Sequence, residues 1–139
     1  MIQAAKQRSA AGRGPLYNEL HHLEIGAYLS EAEPGSADLI VAADVFVYVK
    51  AMEEIFSRCA STLRPGGLLA FTIEKLADGA LASDGRLLQE SGRYAYSPAL
   101  ITALAGRYTY SVVHEQSADV RRDHGSAIVG VAYVLRVMN

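Results

Sequence analysis

The stretch Asp38-Leu39-Ile40-Val41-Ala42-Ala43-Asp44-Val45-Phe46-Val47-Tyr48-Val49 decides the fold. Residues 37–43 form a nearly continuous apolar run after the turn-rich Glu33-Pro34-Gly35-Ser36, the composition of a strand covered on both faces and central in a sheet. Downstream, Met52, Ile55, Phe56, Cys59 and Leu63 recur at spacings of three and four, which lines them along one face of a helix over 50–63. Pro65-Gly66-Gly67 stops that helix, and Leu68-Leu69-Ala70-Phe71-Thr72-Ile73-Glu74 reads as a second mostly apolar strand. A strand, helix, strand unit of this length predicts a right-handed crossover: 37–43 and 68–73 are adjacent and parallel, with the helix packed on them.

Outward from this unit the signals are shorter. Ala4, Ala5, Lys6, Gln7 and Arg8 favour a helix, which Gly12-Arg13-Gly14-Pro15 breaks. Residues 17–25 read as a short strand, although Glu19, His21, His22 and Glu24 make it more polar than a buried central strand. Residues 75–93 are rich in Gly, Ala, Ser, Asp and Glu and read as a long connection with room for a short helix. Ser97-Pro98 supplies an N-cap and a first-turn proline for a helix through Leu100, Ile101, Leu104 and Ala105, closed by Gly106. Residues 108–114 and 127–137 read as strands joined by a polar connection over 116–126, too short for a crossover helix, and so as an antiparallel pair.

Composition narrows the function classes. The 139 residues fit one domain, and 13 Lys+Arg against 15 Asp+Glu give a net charge of -2, which offers no electrostatic reason to expect nucleic acid as partner. The single Cys59 cannot form an internal disulfide, and no apolar run reaches the roughly 18 to 20 residues that span a bilayer, so the expected setting is the reducing cytoplasm with no membrane partner. His21, His22, His114 and His124 show no metal-ligand spacing with Cys59, so no metal is expected. No Gly-x-Ser-x-Gly elbow points to hydrolysis.

The ordered combination of Asp38 to Val49, the helix, Leu63-Arg64-Pro65-Gly66-Gly67-Leu68-Leu69, and Tyr94-Ala95-Tyr96-Ser97 before the last helix resembles the class I S-adenosylmethionine-dependent methyltransferases, especially small-molecule enzymes. The resemblance implies an α/β fold with strand order 3-2-1-4-5-7-6, only strand 7 antiparallel. Residues 1–139 then form a single partial, Rossmann-like domain equivalent to strands 3 to 7, ending in an antiparallel hairpin. The family's first Gly-rich strand-to-helix turn, and the acidic end of its second strand, have no counterpart. Gly12-Arg13-Gly14 and Pro65-Gly66-Gly67 precede strands and so do not match that turn.

The resemblance also assigns candidate residues. It places Ala43, Asp44 and Val45 beside the cofactor's methionine portion, Phe46 and Tyr48 toward the substrate, and Glu24 with Ile25 at the adenine. Asp44 and Glu74 stand at strand carboxyl ends, where open parallel sheets bind ligands, and are the candidate catalytic residues. Glu74 there could bind a cationic substrate or accept its proton. Each has a plainer reading: Asp44 as a helix N-cap, Glu24 and Glu74 as solvated surface carboxylates. Tyr94 and Tyr96 either close over substrate or pack their rings on the sheet.

The implied function is methyl transfer from S-adenosylmethionine to a small-molecule acceptor, impaired in this chain alone because the cofactor's main binding turn is missing. A second reading is a non-catalytic interaction module that dimerises, or takes up a complementing chain, through an open sheet edge. A nicotinamide-dependent Rossmann enzyme is a third, but it requires a Gly-x-Gly-x-x-Gly turn that is absent. The missing strands predict a defect beside 37–43: either 17–25 moves against that edge or the edge stays open.

Overall fold

The computed structural model describes residues 1–8 and 14–138. Its sheet is organised around β2 (Leu63–Lys75). β1 (Ala37–Ala42) lies parallel to β2, from Leu39 opposite Leu68 to Ala42 opposite Phe71. Further along the same edge β4 (Tyr94–Tyr96) pairs parallel with Glu74 and Lys75, and β3 (Arg86–Leu88) pairs antiparallel with β4. On the opposite edge β6 (Ser126–Val137) runs antiparallel to β2, and β5 (Tyr110–Asp123) lies outside it.

Alternation along β2 produces the core. Leu69, Phe71 and Ile73 turn to one face, together with Val131, Tyr133 and Leu135 of β6, and all are buried. The crossover helix α3 (Met52–Thr62) lays Met52, Ile55, Phe56 and Cys59 into the same cluster. Full burial of a side chain such as Phe56 contributes roughly 1.5–3 kcal/mol. The Phe56 ring meets Phe71 and Tyr110 edge-on at 5.6 and 5.7 Å, and the Tyr110 hydroxyl donates to the Phe56 carbonyl at 2.9 Å. α4 (Pro98–Arg107) begins as its sequence predicts: the Ser97 side chain accepts from the Leu100 N–H at 3.2 Å and Pro98 opens the first turn. At the N-terminus α1 (Ile2–Gln7) is helical; of the expected break, Gly12 and Arg13 lie outside the described residues.

Four expectations need correction. Residues 17–25 form no strand: the chain stays irregular to Glu24, whose carboxylate accepts from the Ala27 N–H at 3.1 Å and caps α2 (Ile25–Glu31). Five polar residues in that stretch leave it no apolar face to pair on, whereas a carboxylate one residue before Ile25 favours a helix start. The equivalent of the family's strand 3 is therefore not formed, and the sheet holds the equivalents of strand 4 onward. β1 is neither central nor covered on both faces. Among the described residues it pairs only with β2, and Leu39 and Val41 are 53% and 64% exposed. The edge beside β1 is thus left open. The 75–93 connection contains β3 and no helix. The polar segment 116–126 is mostly strand, because β5 and β6 pair to a tight turn at His124-Gly125, both with positive φ.

Burial of Cys59 on α3 pushes its thiol up to about 12, and only the thiolate reacts. Iodoacetamide at pH 8 should label Cys59 in the native chain roughly a thousandfold more slowly than in urea. Equal rates in the two states would show that α3 does not pack as described.

Candidate active site

Parallel pairing brings the carboxyl ends of β1 and β2 to one rim, the edge where such sheets bind ligands. Asp44 follows β1 with φ +52, a left-handed conformation that costs energy in a residue with a side chain. Its N–H donates to Thr72 Oγ1 on β2 at 3.0 Å, which ties the two strand ends together. The Asp44 carboxylate is about half exposed and caps nothing: the 3-10 turn that follows, Phe46–Tyr48, is preceded by Val45 and has no side-chain cap. The N-cap reading of Asp44 is therefore incorrect. Ala43 beside it is exposed and Val45 half-buried.

The aromatic candidates separate by burial. Phe46 and Tyr96 are both 0% exposed and belong to the core rather than to a substrate surface. The Phe46 ring lies 5.1 Å from that of Phe71, and the Tyr96 hydroxyl donates to the carbonyls of Phe46 and Val49. Burial raises the Tyr96 phenol above its ordinary pKa, so it stays a donor and fixes the 46–49 backbone from below. Tyr94 is half-buried, its ring 6.2 Å from that of Tyr96. Tyr48 alone of the group stands mostly in solvent.

Arg93 connects these residues. Its Nε and Nη2 donate to the Tyr48 hydroxyl oxygen at 3.0 and 2.7 Å, bonds that raise the guanidinium pKa further. The same guanidinium lies 3.7 Å from Asp44 and 3.8 Å from Glu74. Glu74 is only 2% exposed, so its reading as a surface carboxylate is wrong. Oε1 accepts from Arg121 Nε at 2.8 Å and Oε2 from Gln89 Nε2 at 2.6 Å. Both oxygens are occupied, which leaves little capacity to take a substrate proton.

Arg121 reaches Glu74 through a backbone device. The β5–β6 register shifts between Asp119 and Arg121, so Val120 is a bulge residue and Arg121 falls on the face that carries Glu74. Gly130, opposite Glu74 on the intervening strand, leaves the passage open: a Cβ there would meet the Ile73 carbonyl oxygen at 2.3 Å and Val120 Cγ1 at 2.4 Å. Arg93, Arg121, Gln89 and Gly130 all escaped sequence reasoning. The available signal was His124-Gly125 between two strand-like runs, which marks a hairpin but not its bulge. Glu24 and Ile25 do not join this rim, because the strand that would carry them is absent. Glu24 instead borders, with Tyr48, a groove of about 420 Å³ between α2 and α3, and Ile25 packs on the core.

A crossover of parallel strands, a C-terminal antiparallel hairpin and charged residues at the carboxyl rim define an α/β domain with a Rossmann-like sheet. A family model described as a methyltransferase domain matches residues 1–71, just over half of the chain. The chain belongs to that family. Among solved structures, a SAM-dependent methyltransferase from Methanosarcina mazei superposes with TM-score 0.64 at 14% identity, covering 78% of this chain and 62% of its own. The 1,6-didemethyltoxoflavin-N1-methyltransferase of Burkholderia thailandensis, bound to 1,6-didemethyltoxoflavin and S-adenosylhomocysteine, gives 0.62 at 14%, covering 80% and 48%. The cyclase SpnF gives 0.60 at 9%, covering 77% and 52%. At these identities the likeness is one of fold, and the chain spans about half to three-fifths of their lengths. No curated protein matches the sequence.

Against S-adenosylmethionine, a cationic ligand, the rim sets one open carboxylate. The half-exposed Asp44 carboxylate suits a cationic group, but Glu74 is buried and already accepts from Arg121 and Gln89, and Glu24 is engaged at a helix start. Among the described residues no positive-φ glycine leads from a strand into a helix. These residues therefore do not complete a cofactor site.

Arg121→Met should strand the buried Glu74 carboxylate and destabilise the fold by about 3 kcal/mol, while adding Glu74→Gln should restore part of that loss. Urea unfolding of the two single variants and the double variant measures the coupling. Additive effects would show that the pair is not formed.

Proposed function

We propose that this chain takes part in S-adenosylmethionine-dependent methyl transfer to a small-molecule acceptor, contributing the acceptor-side rim of the fold. The observation that carries the reading is the meeting of Asp44, Tyr48 and Glu74 around Arg93 at the carboxyl ends of β1 and β2. The cofactor, when bound, supplies an activated methyl group, so the chain's task is alignment rather than activation. Asp44, with Ala43 and Val45 beside it, faces the donor's cationic end. Tyr48 offers its hydroxyl and ring toward the acceptor. Glu74 acts through Arg93 and Arg121 as a positioning residue. A cytoplasmic setting accords with the lone, buried Cys59; no helix among the described residues is long and apolar enough to cross a membrane.

A second reading is favoured by one observation, the unpaired outer edge of β1 with Leu39 and Val41 exposed beside it. Such an edge pairs readily with another strand, from a second copy or from a complementing chain. Light scattering across a concentration series tests the self-association form: a monomer at all concentrations removes it.

The described residues include no glycine turn from a strand into a helix, and a site without that turn and a carboxylate for the ribose forgoes at least two charge-assisted hydrogen bonds, each worth roughly 1.5–3 kcal/mol. That weakens a micromolar site by about two to four powers of ten. Isothermal titration with S-adenosylmethionine and S-adenosylhomocysteine should therefore give millimolar dissociation constants or no signal. Low-micromolar binding would show that the chain holds a complete site.

A further inference from the structure

Beside the rim, at the far end of β2, a cleft of about 370 Å³ opens between the β2 terminus and the start of β6, a volume within the range that holds small ligands. Its walls are apolar: Leu76, Ala127, Ile128 and Val129 line it. Part of its polar lining, Glu74 and Gln89, is fixed by the hub already described. Glu74 borders the cleft, but its oxygens are occupied by Arg121 and Gln89. A carboxylate can only accept, so the Gln89 carboxamide must present its NH2 to Glu74. What Gln89 has left to offer a ligand is one N–H and its carbonyl oxygen, an acceptor whose orientation is set by the bond to a buried neighbour. The second group is Lys75, whose ammonium lies 3.6 Å from Asp78, a residue 94% exposed. Pairs this open contribute little, so an incoming anion can displace Asp78 at small cost.

We propose that this cleft binds a small organic acid whose apolar body lies against Ile128 and Val129, whose carboxylate pairs with Lys75, and whose hydroxyl or amino group donates to the Gln89 carbonyl. Gln89 is then a specificity-determining residue, since a site built to accept a hydrogen bond discriminates against ligands that lack the donor. That the ligand is the methyl acceptor rests on the proposed function; the binding itself does not. Its donor group is the kind of nucleophile that methyl transfer requires.

The test omits the cofactor, so its failure is distinguishable from failure of the methyltransferase reading. 15N-correlated NMR of the whole chain is titrated with 4-hydroxybenzoate and, separately, with benzoate. Saturable shifts are expected at the Gln89 side-chain amide and the backbone of 127–129, with 4-hydroxybenzoate bound about tenfold more tightly, the worth of one neutral hydrogen bond. Gln89→Met should remove that advantage and leave benzoate binding in place. Lys75→Gln should weaken both acids. Val129→Glu, on a wall that is half exposed and tolerant of change, should abolish binding even if Gln89→Met disturbs Glu74 and unfolds. Equal affinity for the two acids, shifts that map elsewhere, or no saturable shift at all would each overturn the proposal.

Discussion

A carboxylate that is 2% exposed has to be surrounded by donors, and Glu74 draws them from separate parts of the chain. Gln89 comes from the connection after β3, Arg121 from β5, and Arg93 approaches from the turn before β4. The end of β2, the β3–β4 excursion and the long hairpin are thereby held at one place. The net stabilisation from such an arrangement is small, because desolvation offsets most of the attraction, but removing one partner costs several kcal/mol. The pair therefore acts less as a source of stability than as a constraint on geometry. Arg93 reaches Tyr48 and Asp44 from a position that Glu74 helps to define, so the rim inherits its shape from a group that solvent hardly touches.

Much of this fold is legible in the sequence, and for identifiable reasons. The crossover of β1, α3 and β2 announces itself because Met52, Ile55, Phe56 and Cys59 repeat at helical spacing between two apolar runs, and all four are buried. Ser97-Pro98 carries its own capping chemistry, which depends on nothing distant. Residues 17–25 misled because β-propensity there competed with a cap that a single carboxylate supplies locally. The exposure of Leu39 and Val41 was hidden for a different reason: an apolar run reports what a face can bury against, not whether a covering element is present. The Glu74 hub was illegible because its contacts join residues 15 and 47 positions apart, through a bulge that no local pattern marks.

The uncovered face bears on the biology as much as the rim does. Leu39 and Val41 of β1 stand beside Ala70 of β2 and Val134 of β6 on the side of the sheet away from α3, next to an unpaired strand edge. An apolar sheet face and an open edge are each liabilities in water, and together they make a surface that favours association. A partner seated there would lie next to Ala43 and Asp44. The exposed sheet face and the rim that carries Asp44 are thus adjacent features of one edge.

Fold alone does not choose the chemistry: a cyclase shares this architecture about as closely as the methyltransferases do. The state of particular groups distinguishes one site from another. Asp44 and Glu74 end neighbouring parallel strands, yet their surroundings differ sharply. Glu74 has a donor on each oxygen and is shut from solvent, whereas Asp44 is half exposed, in a left-handed conformation with its N–H bonded to Thr72, and only 3.7 Å from a guanidinium that also donates to the Tyr48 hydroxyl. Strain retained at an exposed residue is paid for by the structure around it, and here it fixes a carboxylate at the ligand edge. The two acids therefore differ in kind: one is built into the rim and shut from solvent, the other stands open at the strand end.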